Sequence, residues 1–459
     1  MTSHRPRVAY FSPLAPDPSG ISAYSELLLP YLAEHWDLVL FVDGYVPIDS
    51  FAASLPRFDC HAADPVPHLA KLDAVVYHMG NSASHAYIYD TLMAWPGLVV
   101  LHELSIHHFI AGRTAALGRL DLYLHELRKQ HGAGASEEAR RSFYGSQGGL
   151  WDLKPDEYTL NRHVLDQATG VLCHSEFVSR AVAEVHPRLC VRVSRHPAWP
   201  QAHLHERSNE RRRDRLRLLA AGNLTPNKAI DEVVRACAVL GRQIPLELRL
   251  VGRVELGFDV EALARIEGLE HLTVRGRVDD GELMLELRDA DLCFALRSPT
   301  LGESSGIVLR ALSVGTPVVV SDTGWFGELP DEVAVKVPVP IRRHDPLVES
   351  LRPVLRSGNK RERMSRAALD YARESTPDRT AADYVEWARE AGSYPAAMTG
   401  RAFRLLTEHA RELGIEEPAA TALRRAEIFR QLMGWQEPAR RDWLCPPEHL
   451  APVARGSKE

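Results

Sequence analysis

Short apolar runs alternate with helix-length amphipathic segments along most of this 459-residue chain, and few folds accept that alternation. It is the pattern of a parallel sheet whose strands are joined by crossover helices. The first half has such runs at 8–12, 38–42, 74–77, 98–101, 170–174 and 191–193; the second has them at 216–220, 246–251, 272–274, 292–296, 317–321 and 333–337. Several are continuous rather than alternating, as strands buried on both faces require. One hydrophobic core stops growing near about 250–300 residues, so the length predicts two α/β domains. Their expected extents are 1–196 and 215–345. Between them, at 197–214, lies a linker that opens on Pro197-Ala198-Trp199-Pro200 and ends in the charge run Arg211-Arg212-Arg213-Asp214. From 346 to 459 the pattern is helical, with segments at 347–355, 360–373, 380–391, 401–413 and 422–433.

Composition excludes several classes of function. A net charge of -6 argues against a nucleic-acid partner, which calls for a basic surplus. No apolar run reaches the roughly 18–20 residues of a membrane span, and Met1–Arg7 lead into a strand without the apolar core of a signal peptide. A cytoplasmic location is expected. The six cysteines are scattered without a CxxC pair, and several lie in strand-like runs, where they read as buried free thiols.

In an open parallel sheet, ligands bind outside the carboxyl ends of the strands, so the residues that follow strands hold the chemistry. After the first run comes Asp17-Pro18-Ser19-Gly20, which is either a glycine loop that approaches a substrate or a turn with a helix cap. The fourth run ends in His102-Glu103-Leu104-Ser105-Ile106-His107. This has one residue too many for the HExxH zinc motif, so its histidines would not share a helix face, and no metal is expected. His102 itself reads either as a site residue or as a satisfied core histidine. In the second half, Gly222-Asn223-Leu224-Thr225-Pro226-Asn227-Lys228 precedes a helix. Lys228 is one of only seven lysines in an arginine-rich chain. Arg297 follows a later strand, six residues before Glu303. From Glu303 the chain runs Ser304-Ser305-Gly306-Ile307 into an amphipathic helix, a Gly315-Thr316-Pro317 break and a buried strand. A helix that starts at Gly306 presents free N–H groups and a dipole that favour a phosphate.

The segment from Glu303 to Asp322 resembles the donor-binding signature of glycosyltransferase family 4, and weaker likeness extends over roughly residues 6–390. The resemblance implies a GT-B fold, with two Rossmann-like domains facing a cleft and here a helical C-terminal extension. It implies a retaining, metal-independent transferase that takes a sugar from a nucleotide-diphosphate donor, which acts as co-substrate with no separate cofactor. Residue by residue, it assigns His102 to the reacting centre, Glu303 to the donor sugar and Lys228 to the diphosphate. Gly20 would line the cleft, and the Val278 backbone would meet the base. Asn223 stands where the family usually has an arginine; Arg297 could supply that charge. Ser304, Ser305, Gly306 and Ile307 would form the phosphate end of the helix.

One feature departs from the pattern. The family's second glutamate, which usually binds the ribose, is missing, and Arg310-Ala311 stand in its place. A catalytically silent protein of the same fold, acting as a binding or scaffolding subunit, is therefore the main alternative. A sugar-nucleotide epimerase would want more carboxylates, and a dinucleotide-dependent dehydrogenase would want a GxGxxG after an early strand. The expected partners are a nucleotide sugar and an acceptor that the sequence does not name, with contact to a membrane surface or a second copy left open.

Overall fold

The computed structural model describes residues 5–17, 19–69, 71–145, 148–200, 214–254 and 258–392. Most of the expected linker, the helices expected at 401–413 and 422–433, and the rest of the tail lie outside the described residues.

Seven strands form the first sheet: β1 (Arg7–Phe11), β2 (Asp37–Val42), β3 (Arg57–Asp59), β4 (Ala74–Met79), β5 (Gly97–Leu101), β6 (Ala168–Cys173) and β7 (Val191–Val193). Six form the second: β8 (Leu216–Ala221), β9 (Leu246–Val251), β10 (Leu272–Arg275), β11 (Leu292–Ala295), β12 (Val318–Ser321) and β13 (Ala334–Val337). All pairings are parallel, in the orders β3-β2-β1-β4-β5-β6-β7 and β10-β9-β8-β11-β12-β13. Every run read as a strand is one. The one strand without a matching apolar run is β3, whose Arg57-Phe58-Asp59 is too short and too polar to stand out.

Each sheet is covered on both faces, which explains the unbroken apolar strands. One face of the first buries Phe11, Phe41, Tyr77 and Val99; the other buries Tyr10, Leu40, Val76 and Val100. The second sheet is filled likewise by Leu218, Leu248 and Phe294 on one side and Leu219, Val251 and Val320 on the other.

The helices after 345 divide between the two halves. Asp345–Leu355 and Gly358–Glu374 pack on the second sheet, through Leu347, Leu351, Ala368 and Ala372. Pro377–Glu390 returns to the first sheet, where Ala381, Tyr384 and Trp387 complete its core. Tyr384 shares a buried 2.8 Å hydroxyl–hydroxyl hydrogen bond with Tyr24. Arg192 on β7 pairs with Asp383, Glu386 and Glu390 along the same helix.

In both sheets the strand order reverses at one place, between β1 and β4 and between β8 and β11. Crevices open at such switch points. The loops after β1, β4, β5, β8 and β11 carry the residues that follow.

Candidate active site

The second half builds its part of the site from two loops. After β8, Gly222 takes a left-handed φ of +89°, and the loop after β9 meets it so closely that a Cβ on Gly252 would lie 2.1 Å from the Gly222 oxygen. Glycine is needed where two backbones touch in this way. A short 3₁₀ turn, Pro226–Lys228, then sends the Lys228 side chain back over the strand end, where Nζ donates to the Ala221 carbonyl at 3.4 Å. A Cβ at Gly222 would be 3.3 Å from Lys228 Nζ and 3.7 Å from Ile307, so lysine, glycine loop and helix start are neighbours. The loop after β11 is tied to this one by Ser298 N–H, which donates to the Asn227 carbonyl at 2.7 Å.

Arg297 and Glu303 form a close ion pair, Nε to Oε1 at 2.6 Å, with side chains only 13% and 10% exposed. The other Glu303 oxygen accepts from Thr300 Oγ1 at 3.0 Å and from Leu301 N–H at 2.7 Å. Arg297 also donates to the Leu296 carbonyl and lies over the Phe326 ring. Burial lowers the Lys228 ammonium to about 7; the Arg297 charge adds to that shift, while Cys293 and Glu303 oppose it. The lysine is thus poised to gain a proton when an anion arrives.

Ser305 caps the helix Gly306–Ser313, its hydroxyl accepting from Val308 N–H at 3.4 Å. First-turn amides have no partner within a helix, so this end offers donors beside Lys228. Val278 and Ile307 are partly buried against the same cluster as Trp199. Asn223 is exposed on its loop, and Gly20 starts the helix Gly20–Leu32 with open space at its Cβ position. Among the described residues, no side-chain hydrogen bond or ion pair joins either to the Lys228–Arg297–Glu303 group.

His102 has different company. It is 6% exposed, and its Nε2 shares a 2.9 Å hydrogen bond with His78 Nδ1 on β4. The Tyr24 ring meets His102 edge-on at 4.8 Å and also packs against His78, His174 and His196. Four imidazoles thus gather at the carboxyl edge of the first sheet. Burial first, and then their mutual repulsion, holds His78 and His102 well below the usual histidine range. His196 falls to about 3, with His174 the next cause after burial; His174 falls to about 4 by burial, opposed by its bond to the Ser194 carbonyl. His107 is not part of this group and bonds Tyr123 Oη at 2.7 Å. Among the described residues, no three His, Cys, Asp or Glu side chains are placed to hold a metal ion.

Arg310 is 8% exposed at its side chain, stacked 3.7 Å from the Trp199 ring centroid and 3.4 Å from Asp280. A Cβ on Gly306 would touch both Arg310 and Trp199, so the arginine occupies ground beside the helix start. Sequence spacing flags Arg310 as a departure; only the structure pairs it with the linker tryptophan.

The two halves meet at this edge. Ser105 N–H, after β5, donates to the Leu301 carbonyl at 3.0 Å. Gly302, at φ +77°, lies so close that a Cβ there would be 2.4 Å from Leu104 Cβ. Glu328 accepts from the Glu176 and Phe177 amides, at 3.0 and 2.6 Å, at the start of the helix Glu176–Val185. No helix of the described residues is long and apolar enough to cross a membrane.

Comparison with known proteins agrees with this architecture. Residues 203–370 match the family described as glycosyl transferases group 1. A phosphatidyl-myo-inositol mannosyltransferase of Mycobacterium leprae is 35% identical over 131 residues, which are 28% of this chain and 33% of that protein. A D-inositol 3-phosphate glycosyltransferase of Saccharomonospora viridis is 31% identical over 201 residues, 42% of this chain and 46% of that protein. The chain thus spans less than half the length of these curated relatives. Among solved structures, a sucrose-phosphate synthase from Thermosynechococcus elongatus superposes with a TM-score of 0.58 at 14% identity, over 84% of this chain and 99% of that one. HepE from Anabaena, solved in complex with UDP, superposes at 0.55 and 14% identity, over 84% and 100%. At such identities the likeness carries the fold. The chain has the GT-B architecture of two facing Rossmann-like domains, and its second half carries the sequence match to group 1 glycosyl transferases.

Proposed function

We propose that this protein is a retaining glycosyltransferase that moves a sugar from a nucleotide-diphosphate donor to an acceptor hydroxyl. The observation that carries the reading is the convergence of Lys228, Arg297 and Glu303 at the start of the helix Gly306–Ser313, inside the matched segment. Lys228 and the helix amides meet the charge that develops on a departing diphosphate, and Arg297 adds to the positive field. These groups suit a donor whose diphosphate is neutralised without a metal. Glu303, anchored on one oxygen by Thr300 and Leu301, is positioned to orient sugar hydroxyls. The printed names of the relatives, a mannosyltransferase and a glycosyltransferase, and a UDP-bound structural neighbour support the same class of donor. His102 would act from the first half, its ring orientation held by His78. Val278, Ser304, Ser305, Gly306 and Ile307 would line the nucleotide side, with Gly20 and Asn223 at the rim.

The test is consumption of nucleotide sugars by the purified chain, across uridine, guanosine and adenosine diphosphate donors, with the anomeric configuration of the product read by NMR. Turnover with retained configuration supports the reading; an inverted product contradicts its stereochemistry.

One observation favours a second reading. Arg310, stacked on Trp199 beside Gly306, immediately precedes Ala311, the position where the resemblance implies a ribose-binding glutamate. A protein that kept the fold as a binding or scaffolding subunit would tolerate that replacement. It would show no turnover with any donor.

A further inference from the structure

The loop after β5 carries an acid, Glu103, outside the Lys228–Arg297–Glu303 group. The main chain on both sides of Glu103 is fixed. His102 N–H donates to the Met79 carbonyl at 3.0 Å, Asn161 Nδ2 donates to the Leu104 carbonyl at 2.7 Å, and Ser105 N–H reaches the Leu301 carbonyl of the other half. Glu103 therefore stands on the seam between the two sheets, within electrostatic reach of Glu303 and Arg297. Arg297 does not neutralise it, because its Nε is engaged with Glu303 at 2.6 Å. The Asn81 backbone amide meets the carboxyl, yet Oε2 is buried without a hydrogen-bond partner. Glu232 and Glu286 also leave one oxygen unpartnered, but arginines compensate their charge through the other; among the described residues no ion pair does so for Glu103, and a buried unpaired oxygen costs stability.

We propose that Glu103 is a substrate-contacting residue whose free oxygen is held for a hydroxyl group of a sugar lying between the two halves, opposite Glu303. The inference rests on the donor reading and deepens it by assigning a sugar contact to the first half. The chemistry selects the ligand. A protonated carboxyl beside the Arg297–Glu303 ion pair offers no free positive charge to a phosphate, which belongs on the Lys228 side, and suits a neutral polyol. Burial, and then the Glu303 charge, raise the Glu103 carboxyl to about 8, against the Asn81 amide and Arg297. Near neutral pH it is mainly a neutral acid, able to donate as well as accept, which matches a hydroxyl in both roles.

The experiment compares nucleoside diphosphates with their glucose and mannose esters, by calorimetric titration of the full chain and of Glu103→Ala and Glu103→Gln. With whichever of UDP, GDP or ADP binds, Glu103→Ala should leave the diphosphate Kd within about twofold and weaken the nucleotide sugar about tenfold, the equivalent of one hydrogen bond. Glu103→Gln, which can still donate and accept, should recover most of that loss. In the wild type the extra affinity due to the sugar should fall as pH rises past about 8, as the acid ionises, and in Glu103→Gln it should stay flat. Equal weakening of diphosphate and nucleotide sugar, or no weakening of either, overturns the inference and leaves the donor reading standing. If no nucleoside diphosphate binds the wild type, the donor reading falls and the inference falls with it. Melting of Glu103→Gln controls for folding. Removal of a buried acid without a full set of partners should raise Tm at pH 8, the opposite of losing a structural contact.

Discussion

Lys228 shows how far a single residue's chemistry depends on its surroundings. Its ammonium, buried beside Arg297, has an affinity for protons near neutrality, so the free protein at pH 8 holds it mostly uncharged. If a diphosphate binds at the helix start as proposed, it restores the charge, and binding should take up a proton. Affinity should be greatest below pH 7 and fall by roughly tenfold or more by pH 8.5. Titration in two buffers of different ionisation heat measures that proton directly; an uptake of zero would place the diphosphate elsewhere. Lys228 and Glu303 are legible in the sequence because each follows a strand at a telling spacing. Glu103 is not. Its neighbour His102 fits the same position in the family pattern, and the isolation of the Glu103 oxygen arises only when two loops about 200 residues apart close on each other.

Most central strands were legible because burial on both faces leaves a mainly apolar run; β7, β9 and β10 carry polar residues between apolar ones, and β3, three residues with one apolar side chain, gives no such signal. What the runs do not reveal is how their ends are packed. His78, His102, His174 and His196 come from separate segments and meet only through the sheet order. All four have folded-state proton affinities below the unfolded value near 6.5, so the unfolded chain binds more protons as acid is added. Their contribution to stability is fully present above pH 6.5 and is lost as pH falls toward 4. The loss can reach about 1.4 kcal/mol per pH unit for each histidine. Glu103 acts in the opposite sense between about 4.5 and 8, so urea denaturation is best compared at pH 6.5 and 5 in the Glu103→Gln variant. A pH-independent stability there would show that the cluster is not neutral. Gly302 tests the seam itself. Gly302→Ala puts a Cβ into a left-handed backbone and against Leu104, and should cost about 1–2 kcal/mol while lowering turnover. Unchanged stability and turnover would mean that the Leu104–Gly302 approach is not maintained in solution.

At the scale of the molecule, the helix Pro377–Glu390 binds the chain's course together. It follows two helices of the second half yet fills the core of the first with Tyr384 and Trp387, both buried. A helical pattern after 346 was evident from the sequence; its division between the sheets was not, because an amphipathic face does not name the surface it covers. Trp387→Ala should cost about 3–5 kcal/mol, and hydrogen exchange should show the loss in β1, β4 and β6 before β8 or β11. Uniform loosening of both halves would contradict that assignment. This return, together with the Ser105–Leu301 and Glu328 contacts, holds the loop after β5 and the helix Glu176–Val185 against the second half. The proposed donor site is tested by the melting temperature of the full chain, and of its Lys228→Ala variant, with UDP, GDP and ADP. A ligand at a hundred times its Kd adds about 2.7 kcal/mol, enough for a clear rise in Tm. A donor site at Lys228 requires that one base raise Tm in the wild type and not in Lys228→Ala. No rise with any of the three, or an equal rise in both proteins, would contradict a donor site at Lys228, Arg297 and Glu303.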